Sequence, residues 1–225
     1  MRSFLSSLIY PVNGKQQALR YLILCVTNLV PVAGTIVALG YISRSMEASM
    51  EGKSETPKWD RLSDLFIGGI KFIGVLAIYA VTFMVPLIIA SLFIFVIRVP
   101  WADFVGFFFF LITGILMLTW AFIVPMALFY MHQGDGSLGS VLNYTAVLIR
   151  IRENMMGYIG RVLLFWFFCF LGAMLSLFFI TLPYGYLLVI FPVMYLLLYA
   201  AHLFGTMEYT GDALVIGSDG VVEYE

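Results

Sequence analysis

The sequence predicts an all-α fold: a polytopic transmembrane helical bundle of four full spans. To these it adds a proline-broken N-terminal hydrophobic segment and two amphipathic interfacial helices. Three observations lead there. The chain has 225 residues, 62% hydrophobic and 11% charged, with mean hydropathy +1.01, whereas soluble domains carry roughly 25% charged residues. The runs 72–97 and 104–131 hold no Lys, Arg, Asp or Glu and exceed the roughly 20 apolar residues that cross a bilayer. Neither run alternates with the period of two that a barrel strand requires. A helix satisfies its backbone within one segment, as a lipid-exposed chain must.

Residues 1–20 place Phe4, Leu5, Leu8 and Ile9 on one helical face, with serines opposite. This pattern suits a helix lying on the membrane, ended by Tyr10-Pro11 and Asn13-Gly14. Residues 18–43 form the first hydrophobic segment, with Asn28, Pro31 and Gly34 at its centre. Each half has about 13 residues, or roughly 20 Å of helix, too short to cross alone. A kinked fifth span and a re-entrant hairpin therefore compete. As a span, the segment divides the basic residues eight to four; as a hairpin, it divides them eleven to one, leaving only Arg98 on the far side. The positive-inside rule favours the hairpin, with residues 44–71, 132–161 and the C-terminus cytoplasmic.

In the loop that follows, Thr56 is placed to cap a helix beginning at Pro57. Trp59, Leu62, Phe66, Ile70 and Ile73 then share a face, with Trp59 at headgroup depth and Lys71 snorkelling back to the interface. The span 72–97 carries Pro86, and Arg98, Pro100, Trp101 and Asp103 mark an outer turn. The span 104–131 ends before the stop Gly134-Asp135-Gly136-Ser137. A second amphipathic stretch places Leu138, Val141, Leu142, Thr145 and Ile149 on one face, and Arg150, Arg152 and Glu153 close it. Arg161 marks re-entry. The last spans, 162–181 and 184–204, join through Leu182-Pro183-Tyr184-Gly185, and Gly172, Ala173 and Ser176 permit close helix contact. Residues 1–207 thus read as one membrane domain. Residues 208–225 read as an acidic tail in which Leu214-Val215-Ile216, Ser218-Asp219-Gly220 and Val221-Val222 suggest a short hairpin. The first and third hydrophobic segments have weakly similar sequels; duplication would produce them, but amphipathic cytoplasmic loops also arise independently.

Several of these residues carry a family resemblance: Tyr10-Pro11, Gly40-Tyr41, Arg44, Gly52, Pro57-x-Trp59-Asp60, Leu65-Phe66, Gly69 and Lys71. Pro125, Arg152-x-Asn154 and Gly205 add to it. Over about residues 5–210 the chain resembles the prokaryotic membrane-protein family known as domain of unknown function 4013, with Thr56 where that family usually has Leu. The resemblance implies a compact multi-span helical protein in a bacterial or archaeal cytoplasmic membrane and brings no activity with it.

Chemistry is sparse. No acid lies within a hydrophobic run, which argues against a proton relay. Cys25 and Cys169 form no metal or disulfide motif, and His132 and His202 lack partner ligands in the sequence. No phosphate loop, nucleophile elbow or zinc-protease motif occurs, so no catalytic, cofactor or metal residue is assigned. The net charge of −1 gives no field for nucleic acid. Two groups of candidate residues remain. Asn28, Pro31 and Gly34 form a helix-break site of the kind that exposes backbone groups in transporters, although the Asn28 amide can equally serve groups freed by Pro31. Trp59, Asp60, Arg61, Lys71, Arg150, Arg152 and Arg161 are candidate interfacial or headgroup contacts. The expected function is a non-enzymatic accessory or scaffold subunit whose partners are lipid, other membrane proteins or its own copies. The alternative is a small transporter or channel for a neutral or lipid-like molecule. A lipid sensor acting through the amphipathic helices is a third reading.

Overall fold

The computed structural model describes residues 7–97, 99, 101–133 and 138–207. The expectations for residues 1–6, for Arg98 and Pro100, for the stop at 134–137 and for the tail hairpin fall outside these. The described residues form helices and turns, with no strand among them. After a short 3-10 turn, Tyr10–Val12, come α1 (Lys15–Asn28), α2 (Ala33–Met50), α3 (Leu62–Ser91), α4 (Ala102–Gln133), α5 (Tyr144–Glu153), α6 (Met155–Ile180) and α7 (Ile190–Gly205). A π-helical turn, Leu92–Val96, extends α3. Four stretches are long and apolar enough to cross a membrane: Leu62–Val96, Ala102–His132, Met155–Ile180 and Gly185–Gly205.

The N-terminal hydrophobic segment breaks as its composition indicates. Helix α1 stops at Asn28, the chain turns through Val32 at φ +62°, and α2 starts at Ala33. The turn is tight because a Cβ on Gly34 would lie 1.9 Å from the Thr27 carbonyl oxygen. Arg20, near the start of α1, hydrogen-bonds the carbonyl of Thr56, just beyond α2. The two helices therefore run antiparallel and return the chain to the end where it started.

Helix α2 is the centre of the bundle, packed by α1, α3 and α7. Its buried residues are mostly small: Gly34, Ala38, Gly40, Ser43, Ser45, Ala48 and Ser49 accompany Tyr41, Ile42 and Met46. Small side chains let helix backbones meet where hydrocarbon offers no hydrophobic drive. The closest meeting is the crossing of α2 with α3. A Cβ on Gly40 would fall 1.7 Å from the Leu65 carbonyl oxygen, and one on Gly69 would fall 1.8 Å from that of Ile36.

That crossing sets which side of α3 faces inward. Leu65, Gly69, Phe72, Val75 and Tyr79 are buried, while Leu62, Phe66, Ile70 and Ile73 are exposed. Both stripes are apolar; only one contains the glycine that admits α2. The expected lead-in helix from Pro57 is also absent. Residues 57–61 are non-helical, Thr56 does not cap, and α3 starts after Arg61 at φ +49°. The helix does not begin earlier because the loop is held against α1 and α2.

On the second amphipathic stretch, α5 is capped by Asn143, whose Oδ1 accepts from the Ala146 N–H at 3.1 Å. It buries Ala146, Val147 and Ile151. Leu142, Thr145 and Ile149, on the face that the sequence makes apolar, are exposed. Val141 itself is buried.

Replacing Gly40 with Ala should lower stability by about 2 kcal/mol or more, the range for overpacking a tight site. The neighbouring Gly68→Ala should be neutral or stabilising, because its nearest non-local atom would be 3.7 Å away and Ala is the better helix former. Thermal unfolding of both variants in the same detergent checks the contrast; equal effects would contradict the crossing.

Candidate functional site

Three features lie on or between these helices, and the first is a cap built from the 51–61 loop. Tyr41, fully buried on α2, stacks on Trp59 with ring centroids 4.3 Å apart and planes 9° from parallel. The Tyr41 hydroxyl donates to the Pro57 carbonyl at 2.8 Å, and the Trp59 indole N–H donates to the Arg20 carbonyl at 3.3 Å. Gln17 donates to the Ser54 carbonyl at 3.3 Å, and Arg44 pairs with the Asp60 carboxylate. Beside the cap is a polar cleft of about 730 Å³ in which Arg20, Arg44, Lys53 and Lys58 mix with Glu47, Glu51, Glu55 and Asp60.

A second polar cleft, of about 460 Å³, lies where α2, α3 and α4 part at the same end. Arg44, Glu47, Asp64 and Lys71 line it, with Ser43 and His132 in its wall. His132 is not alone in a loop, as the sequence suggests; it sits in the last turn of α4. Its Nδ1 lies 2.7 Å from the Leu128 carbonyl, to which it must donate. In the neutral ring Nε2 then accepts from the Ser43 hydroxyl, also at 2.7 Å.

The third feature is apolar, a crevice of about 600 Å³ among α2, α3, α4, α6 and α7. Phe83, Trp120, Phe165, Trp166 and Phe204 line it with aliphatic side chains. Its polar contacts are internal, since Trp120 donates to Thr82, and Tyr79 donates to the Val141 carbonyl at 3.3 Å. Tyr158 bridges α6 to α4 through the Phe122 carbonyl.

The candidate residues from the sequence separate into several roles. Asn28, Pro31 and Gly34 do meet at one turn, but the Asn28 side-chain oxygen is buried without a hydrogen-bond partner, so it does not serve the groups near Pro31. Around it Leu29, Val30 and Val32 are exposed, giving the hairpin an apolar tip. Trp59 and Asp60 close the loop onto α1 and α2, and the residue preceding α3 is Arg61, not Asp60. Arg61 is the residue in left-handed conformation before α3. Lys71 faces the second cleft. Arg150 pairs with Glu153 at 3.1 Å, and Arg152 is exposed. Arg161 donates to the carbonyls of Leu203 and Thr206, the latter at 3.2 Å, so it caps the C-terminus of α7, where a cation also suits the helix dipole.

Sequence reasoning missed Arg20 and Gln17 as clamps and Ser43–His132 as a pair, because these contacts join distant segments. It likewise missed His202, which bonds Ser7 at 2.8 Å beneath the ring of Tyr10. Burial raises the Tyr10 pKa, with hydrogen bonding to Ser49 and Ser45 opposing, so the phenol is neutral at physiological pH. No group of three or more potential metal ligands occurs among the described residues.

Four apolar helices of spanning length around a central small-residue helix define a multi-pass α-helical membrane protein. A family model described as "Protein of unknown function (DUF4013)" matches residues 23–183, and the chain belongs to that family. The match takes in the Gly40–Gly69 crossing and the Pro57–Asp60 cap, and leaves Tyr10-Pro11 and Gly205 outside it. No curated protein and no solved structure matches the chain.

Trp59→Ala should remove the stack and an anchoring hydrogen bond, costing about 2 kcal/mol and speeding tryptic cleavage at Lys53 and Lys58. Asp60→Asn should cost less than about 1 kcal/mol, since the Arg44–Asp60 pair is 31% and 53% exposed and such pairs contribute little. Limited proteolysis beside thermal unfolding measures both; a larger effect of Asp60→Asn would make the ion pair the loop's anchor.

Proposed function

We propose that this protein is a non-enzymatic component of a prokaryotic cytoplasmic membrane, an accessory or scaffold subunit packing against other membrane proteins. The observation that carries this reading is the standing of α6. No residue in its most apolar stretch is buried, and Phe167, Phe170, Met174 and Phe178 are exposed along it. Helix α6 packs chiefly on α7. A helix left this open offers a face to a neighbouring subunit, with lipid covering what remains.

In this reading α1 and α2 form a re-entrant hairpin whose apolar tip, residues 29–32, enters the bilayer. Residues 44–71, 132–161 and the C-terminus are cytoplasmic, on the side that collects eleven of the twelve basic residues. Helix α5 lies in the interface, its exposed Leu142, Leu148 and Ile149 reaching toward acyl chains.

The apolar crevice favours a second reading, transport of a neutral or lipid-like molecule. It has the size of a small-molecule pocket and a lining without charge. One experiment separates the two readings: gentle extraction of the native particle, mass analysis, and reconstitution in liposomes. A constant partner at fixed stoichiometry is the expected result. A monomer whose apolar-solute flux is abolished by Ala121→Phe, which fills the crevice, would overturn the accessory reading in favour of transport.

A further inference from the structure

The polar cleft between α2, α3 and α4 points to a ligand that neither reading of function names. We propose that it seats the headgroup of a zwitterionic aminophospholipid, with phosphate on Lys71 and Arg44 and the primary ammonium on Glu47 and Asp64.

Depth is the first argument. The stretch Leu62–Val96 has 35 residues, about 52 Å of helix at the standard rise. The hydrocarbon core is about 30 Å thick, so roughly 10 Å protrudes at each end. Lys71 lies about 14 Å from the start of α3, at the boundary between headgroups and hydrocarbon. It is half-buried there, facing a cleft between helices instead of open solvent.

The second argument is unspent charge. Among the described residues the ion pairs are Arg44–Asp60, Lys53–Glu51 and Arg150–Glu153. Lys71 has no ion-pair or hydrogen-bond partner among them, and neither Glu47 nor Asp64 has a cation within pairing distance. A charge at this depth is costly without a partner. Arg44 uses Nη1 on Asp60, and a guanidinium has five N–H donors in all. His132 and Ser43 are committed to each other and to Leu128, so they shape the wall without adding a charge the ligand must balance.

The pattern of these charges selects the headgroup. Two cations and two carboxylates line one cavity of about 460 Å³. A purely anionic headgroup answers the cations and leaves the carboxylates unmatched. A choline group carries positive charge but no N–H to donate. A primary ammonium offers three donors, and the phosphate, joined to it through two carbons and an ester oxygen, accepts from Lys71 and Arg44 through charge-assisted contacts. The acyl chains then lie against the exposed apolar surface of α3, where Val81, Met84, Val85 and Ile88 continue into the bilayer.

Native mass spectrometry of the delipidated full-length protein, titrated with dioleoyl phosphatidylethanolamine, phosphatidylcholine or phosphatidylglycerol, tests this. Retention of the ethanolamine lipid should exceed that of the other two by about tenfold, the weight of one charge-assisted contact. Glu47→Gln should bring it down to the choline lipid's level, whereas Lys71→Met, which removes a phosphate contact, should weaken the binding of all three lipids. Should Glu47→Gln fail to fold, Asp64→Asn at the exposed start of α3 serves in its place. Equal retention of the three lipids, a preference for the glycerol lipid, an ethanolamine preference that survives Glu47→Gln or Asp64→Asn, or retention of all three that Lys71→Met leaves unchanged would overturn the proposal.

Discussion

Gly40 and Gly69 let two helix backbones touch, and much of the molecule follows from that contact. Hydrocarbon does not drive helices together, so a bundle must gain its cohesion from close packing and hydrogen bonds. With no side chain at either glycine, α2 meets α3 carbonyl to backbone. The register this sets turns Tyr41 toward Trp59 and brings Arg44, one turn on, to Asp60. The loop between them is then folded onto α1 by Arg20, Gln17 and the indole of Trp59. On its other side α2 receives α7, where a Cβ on Gly205 would come within 2.7 Å of the Met46 carbonyl oxygen. The residues that resemble the family motif are largely the residues of this one assembly.

The same geometry separates two environments. One end of the bundle gathers charge into polar clefts, while between the helices lies an apolar, aromatic crevice. Helix α4 passes from one to the other within a turn: Leu128 lines the crevice and His132 the cleft, joined by a hydrogen bond along the helix. Helix α2 does likewise with Met46 and Glu47. A ligand with a polar head and an apolar body would find both kinds of surface within a few residues, which links the proposed headgroup site to the membrane setting of the fold.

Hydropathy made the four spans legible, since length and the absence of charge suffice for that. The break between α1 and α2 was legible too, from Asn28, Pro31 and Gly34. What was not legible was orientation about each helix axis. In a soluble protein the apolar stripe faces the core, but in a membrane both stripes of α3 are apolar. The inward one is marked by Gly69 and not by hydrophobicity. The loop misled for another reason. Thr56-Pro57 reads locally as a helix start, and only contacts with Tyr41 and Arg20, distant in sequence, hold it extended. Arg161 shows the same limit: a basic residue at a span's edge reads as a headgroup contact until α7 ends beside it.

Substituted-cysteine labelling tests the hairpin most directly. Lys15→Cys and Ser54→Cys are introduced singly into a variant in which Cys25 and Cys169 are alanine. A membrane-impermeant maleimide is then applied to right-side-out and inverted vesicles. The antiparallel arrangement of α1 and α2 predicts that both positions label from the same face. Labelling from opposite faces would mean that residues 18–43 cross the membrane once, and would contradict the packing of α2 between α1, α3 and α7.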